Sequence, residues 1–104
     1  MLKTEYRLRS KVWKYPGMAG WRFLTLTKSA SASIKKDFGK RARGWGSLPV
    51  TVTIGKTTWK TSIFPDSQAG AYLLPLKANV RKREQINDKD SVLVSLHVRN
   101  PLEM

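Results

Sequence analysis

Ala19-Gly20-Trp21-Arg22-Phe23-Leu24-Thr25-Leu26 and Ala69-Gly70-Ala71-Tyr72-Leu73-Leu74-Pro75-Leu76 stand fifty positions apart and read alike. Each is followed by a basic segment, Ile34-Lys35-Lys36 in one case and Val80-Arg81-Lys82 in the other. A strand-like run comes next in both, Val50-Thr51-Val52-Thr53-Ile54 or Val92-Leu93-Val94-Ser95-Leu96. The shared Ala-Gly pairs, the Leu24/Leu74 and Leu26/Leu76 matches and the common order of elements read as a repeated unit of strand, strand, helix, strand. Two such units predict similar halves, roughly 1–55 and 56–104, closing around one core in a single domain of 104 residues.

The segments around the repeat carry ordinary periodicities. Residues 2–13 alternate, with Leu2, Tyr6, Leu8 and Val12 on one face and Lys3, Glu5, Arg7, Arg9 and Lys11 on the other. That is the pattern of a half-buried strand with a basic outer side. Tyr15-Pro16-Gly17 breaks it, and residues 20–27 read as a second strand, apolar on both faces except Arg22. Ser29-Ala30-Ser31-Ala32-Ser33 reads as a small-residue linker ending in a serine N-cap. The helix expected after it covers 33–43: Ile34, Phe38 and Ala42 make an apolar stripe, Lys36, Lys40 and Arg43 cluster opposite, and Gly44-Trp45-Gly46 stops it.

The second half starts from a hairpin. Val50 to Ile54 is a strand, Gly55-Lys56 is a two-residue turn, and Thr57 to Phe64 returns until Pro65-Asp66 ends it. Residues 70–76 form another strand, in which the Pro75 nitrogen has no ladder partner. A short helix is expected over 78–85, although Glu84 falls on the same face as Val80. Asn87-Asp88-Lys89 reads as a turn, and 91–99 closes the chain with Val92, Val94, Leu96 and Val98 on one face. The total is about six or seven strands and two short helices.

Charge is the strongest compositional signal. Twenty Lys and Arg against seven Asp and Glu give a formal +13, where a small domain needs a net charge of only about 2–8 for solubility. The excess implies attraction to polyanions: nucleic acid, anionic lipid or an acidic protein. Two clusters are the nucleic-acid-binding candidates: Lys35, Lys36, Lys40, Arg41 and Arg43 in the first helix, and Arg81, Lys82 and Arg83 at the corresponding place of the second half. The charged N-terminus lacks the apolar core of a signal peptide, no run is long enough to span a membrane, and there is no cysteine. The expectation is a bacterial-type cytoplasmic protein.

No set of residues suits catalysis. The lone histidine, His97, lies on the outward phase of the last strand beside Arg99. Asp88 and Asp90 fit local turn bonding better than a metal pair. No phosphate loop or dinucleotide fingerprint is present. The expectation is a protein that is not an enzyme, with no catalytic residues, no metal and no cofactor. The four tryptophans, Trp13, Trp21, Trp45 and Trp59, are either base-stacking platforms or, the favoured reading, core anchors of a small barrel. Trp45, between glycines in a basic loop, is the exception to that burial.

Gly70-x-Tyr72-x-Leu74-Pro75-x4-Val80-Arg81 followed by Ile86-x3-Asp90-x-Val92-x-Val94 resembles the core of the AbrB/MazE swapped-hairpin unit of bacterial DNA-binding proteins. Over nearly its whole length the chain more closely resembles the family called domain of unknown function 1905. The residues that carry this are Trp13, Gly20-Trp21-x-Phe23, Trp45-Gly46, Val50-x-Val52-x-Ile54-Gly55, Trp59-x-Thr61-Ser62-x-Phe64-Pro65, Leu74-Pro75, Val80-Arg81 and Asp90-x-Val92. The resemblance implies a mainly β fold, a double-split β-barrel (pseudobarrel) capped by two short helices, and brings no established activity. Lys89 stands where such proteins usually have Gly, which predicts a non-glycine residue at positive φ. AbrB-type units dimerise to close a barrel; with both halves in one chain, a monomer is expected, and a weak dimer is compatible with it.

Two functions follow from different features. The charge and the half-pattern point to a module that binds a polyanion such as nucleic acid. The aromatic residues point instead to a small-ligand or protein-interaction module in which Trp45, Trp21 and Tyr72 line a cleft between the half-barrels.

Overall fold

Residues 3–17 and 20–99 are described in the computed structural model. The repeat's Ala19 and the N-terminal Leu2 lie outside the described residues. Among the described residues six strands form: β1 (Glu5–Lys14), β2 (Arg22–Thr25), β3 (Leu48–Ile54), β4 (Thr57–Asp66), β5 (Ala71–Pro75) and β6 (Ser91–Val98). Two helices join them, α1 (Lys28–Phe38) and α2 (Ala78–Arg83). The strands close into an antiparallel barrel in the order β1-β2-β5-β4-β3-β6.

Alternation decides which side of each strand faces in. Tyr6, Leu8 and Val12 of β1, Val50, Val52 and Ile54 of β3, and Val92, Val94, Leu96 and Val98 of β6 are buried together. Leu24 of β2 and Leu74 of β5 sit opposite one another in the ladder and are both fully buried. Ser10 interrupts the inward row of β1, and its hydroxyl donates to the Thr25 carbonyl at 2.8 Å.

The first helix starts earlier and ends earlier than the apolar stripe predicts. The Thr27 hydroxyl accepts from the Ala30 N–H at 3.1 Å, so capping takes place there and not at Ser33. The Ser-Ala run is therefore helix, not linker. Ser31, Ile34 and Phe38 form its buried stripe, and the Ser31 hydroxyl accepts the Tyr72 backbone N–H of β5 at 3.0 Å. A larger residue at 31 would remove that acceptor and separate helix from strand. After Phe38 the chain tightens into a 3-10 turn, Gly39–Arg41. Ala42 still packs against the core, but from outside the helix.

The inward position of Glu84, awkward for an amphipathic α2, has a specific cause. Its carboxylate accepts the Thr57 hydroxyl at 2.6 Å, tying the end of α2 to the β3–β4 hairpin. That hairpin needs Gly55: its φ is 57°, and a Cβ there would collide with the Glu84 carboxylate. Lys89 does adopt positive φ, 71°, in the turn before β6.

Candidate functional site

Strand phase sends one set of side chains outward on the β1-β2-β5-β4 side. Trp13 stands opposite Phe23, and Phe23 opposite Pro75; Thr25 stands opposite Leu73, and Leu73 opposite Phe64. Their neighbours Val12, Leu24, Leu74 and Ile63 point into the core, so these residues form the outer surface. Phe23 is buried there under other rings, with centroids 5.3 Å from Trp13, 5.8 Å from Tyr15 and 5.8 Å from Trp21. The Trp13 indole N–H donates to the Thr25 hydroxyl at 2.9 Å, tying the ring to β2.

Beside this aromatic surface lies an open cleft of about 630 Å³. Trp21, 50% exposed, and Phe64, 39% exposed, are its aromatic residues. Arg22, Lys60, Lys77 and Arg99 line it as well. Lys60 and Phe64 share the outward phase of β4, and Lys77 is the N-cap position of α2. Arg99 follows β6; its N–H donates to the Pro49 carbonyl at 2.9 Å, and Pro49 stands opposite Ser62, another lining residue. The Arg99 Nε is buried without a hydrogen-bond partner.

Two arginines hold the walls. Arg22 pairs with Asp88, which leaves its charge partly neutralised. Arg81 donates from Nη2 to the Gly20 carbonyl at 3.1 Å and from Nε to the Leu76 carbonyl at 3.3 Å. Gly20 and Leu76 both line the cleft, so Arg81 ties one wall to the other. The arrangement offers flat apolar surface, positive charge and no paired acid and base.

The residues singled out from sequence are dispersed. Lys35 and Lys36 are exposed in the last turn of α1, where they also complement the helix dipole. Lys40 and Arg41 are exposed on the 3-10 turn, and Arg43 on the segment before Trp45. Lys82 and Arg83 are exposed at the end of α2, whereas Arg81 is half-buried and occupied with backbone carbonyls. Trp21 lines the cleft, Trp45 is 92% exposed on its own turn, and Tyr72 is in the core cluster. The expected convergence of Trp45, Trp21 and Tyr72 is thus not what forms: Tyr72 shares the inward phase of Leu74 and Leu76. Burial pushes the Tyr72 phenol above its ordinary pKa.

Of the tryptophans, Trp59 packs half-buried against the core, whereas Trp13 is half-buried on the outer surface and Trp21 and Trp45 are exposed, because mostly aliphatic residues fill the barrel. Sequence reasoning missed Lys60, Phe64, Lys77, Arg22 and Arg99 as a set. The available signal was the outward phase of Lys60, Ser62 and Phe64, and the lone charge of Arg22 in an apolar strand.

Other chemistry is sparse. Among the described residues no three His, Cys, Asp or Glu side chains gather as a metal site. Asp88 is paired with Arg22, and Asp90 accepts the Asn87 N–H at 2.8 Å. His97 stands opposite Thr51 and Glu5 in its ladders, with a buried Nδ1 that has no partner. Among the described residues no helix is long and apolar enough to cross a membrane.

A family model described as Domain of unknown function (DUF1905) matches residues 9–96. No curated protein matches the chain.

Proposed function

We propose, from the premise that the chain belongs to the family described as Domain of unknown function (DUF1905), that it is a non-enzymatic module binding single-stranded nucleic acid in the cleft. The observation that carries this is the meeting of exposed aromatic rings, Trp21 and Phe64, with Lys60, Lys77 and Arg99 in one opening. Bases stack on aromatic side chains whatever their identity, and Lys and Arg take the phosphates. A duplex hides the faces of its bases, so exposed rings favour a single strand. The basic residues of α1 and α2 add a general positive field that steers the polyanion towards the surface.

The same reading includes a pseudo-twofold relation between the halves. Exchanging β1 with β4, β2 with β5 and β3 with β6 turns the strand ring into itself. The registers agree in detail: Trp13↔Phe23 corresponds to Phe64↔Leu73, and Leu8↔Val94 to Trp59↔Val52. The bond from the Leu26 N–H to the Tyr72 carbonyl has its counterpart from the Leu76 N–H to the Arg22 carbonyl, both 2.9 Å. This supports a double-split barrel related to the AbrB/MazE unit but completed within one chain, so that a monomer needs no partner to close it. The site itself breaks the symmetry. Ala71 stands where the other half has Trp21, and Thr27 where the other has Lys77. One site per chain is the consequence.

A second reading rests on cleft size. About 630 Å³ falls in the usual range for small-molecule sites, and the lining would suit a planar aromatic anion. Fluorescence anisotropy of a labelled oligonucleotide against salt separates the two. With Arg22 engaged by Asp88, three cations remain for phosphates. At about −0.7 per phosphate, log K should fall with log salt at a slope near −2. Absence of binding at low salt overturns the nucleic-acid reading, and tight salt-insensitive binding of a mononucleotide favours the small ligand.

A further inference from the structure

Trp45 pays twice for its position, in backbone strain and in exposure. Its φ is 64°, in the left-handed region that bulky side chains avoid. Its ring is 92% exposed, which forgoes the burial that makes tryptophan stabilising elsewhere. Gln85 and Lys89 are the other described non-glycine residues at positive φ. Both are polar: Gln85 follows the end of α2, where such conformations are common, and Lys89 lies in the turn before β6. A turn with this backbone would be served better by Gly or Asn at 45.

The turn is nonetheless firmly held. The Gly46 N–H donates to the Arg43 carbonyl at 2.9 Å, and the Arg43 N–H donates to the Ser47 carbonyl at 2.9 Å. Gly46 lies against Pro65 so closely that a Cβ there would sit 2.8 Å from the Pro65 Cγ. Pro65 follows Phe64, an aromatic residue of the cleft. The turn is therefore anchored at the Phe64 end of the cleft and holds the indole out in solvent.

We infer that Trp45 is a second stacking contact for the same single strand, so that the binding site runs from the Gly44–Gly46 turn through the cleft and takes several nucleotides. This rests on the cleft reading above. Among the described residues the four exposed aromatic ones are Trp45 on the turn, Phe64 and Trp21 in the cleft, and Tyr15 with its ring 5.8 Å from Phe23. Small barrels that bind single strands cover roughly 4–16 nucleotides, and the longest dimension here is 35 Å.

The test uses the full chain with labelled oligothymidylates of about three and about ten nucleotides. Wild-type protein should bind the longer one more tightly. Trp45→Gly should weaken that binding at least about fivefold, the lower end for loss of one stacked base, and leave the short oligonucleotide unaffected. Trp21→Ala should weaken both. Because glycine relieves the strain, Trp45→Gly should melt no lower than wild type, which separates loss of contact from loss of fold. Equal affinity of Trp45→Gly and wild type for the longer oligonucleotide overturns the inference while the cleft reading stands. Failure of wild-type protein to bind either length overturns both.

Discussion

The barrel wears two different outer surfaces over one kind of interior. On the β1-β2-β5-β4 side the outward residues are Trp13, Phe23, Leu73, Pro75 and Phe64. On the β1-β6-β3-β4 side the outward rows read Glu5, His97, Thr51 and Lys60, then Arg7, Ser95, Thr53 and Thr58. Beneath both, the inward residues are mostly aliphatic, with Tyr6 and Tyr72 buried among them. Core packing dictates the inward residues alike on the two sides, so it cannot explain the outward contrast. A Thr-rich outer row suffices for a stable sheet. The aromatic side has rings beyond that need, and some of them stay in solvent beside Lys and Arg. The proposed binding site rests on this contrast.

The contrast is broken most readily at Phe23. Its ring is buried beneath Trp13, Tyr15 and Trp21, so Phe23→Ala should cost about 1.5–3 kcal/mol of stability. Thr51→Ala on the polar side should stay within about 0.5 kcal/mol. Chemical denaturation measures both, and equal costs would mean that the aromatic surface is not a packed unit.

A smaller effect probes the interior behind the aromatic side. Tyr72 has a raised phenol pKa through burial, above the ordinary value of 10.0. An acid whose pKa is higher in the folded state keeps its proton there while the unfolded chain loses it. Its stabilising contribution is complete below pH 10 and declines as pH rises through the folded value. Tyr72→Phe should flatten the fall in melting temperature above that pH. An identical alkaline decline in the variant would show that Tyr72 does not titrate from a buried site.

Much of the fold was legible because strand phase is a local property. Val92, Val94, Leu96 and Val98 announce one buried row, and Gly55-Lys56 announces a hairpin. Helix limits were less legible. The cap at Thr27 depends on one hydroxyl, and Ser31 earns its buried place only from a β5 amide distant in sequence. Glu84 looked misplaced until Thr57 supplied its partner. The cleft was hidden for a related reason. Arg22, Lys60, Lys77 and Arg99 come from four separate segments, gathered by strand order and not by spacing. Trp21 and Tyr72 were expected to line one cleft, yet Trp21 lines it and Tyr72 fills the core.

Amide chemical-shift mapping of the full chain with a single-stranded oligonucleotide tests the central claim most directly. Perturbations are expected at Gly20, Trp21, Lys60, Ser62, Phe64 and Lys77, with Thr51, Thr53, Ser95 and His97 undisturbed. Perturbations confined to Thr51, Thr53, Ser95 and His97, or none at any ratio of oligonucleotide to protein, would contradict the proposal.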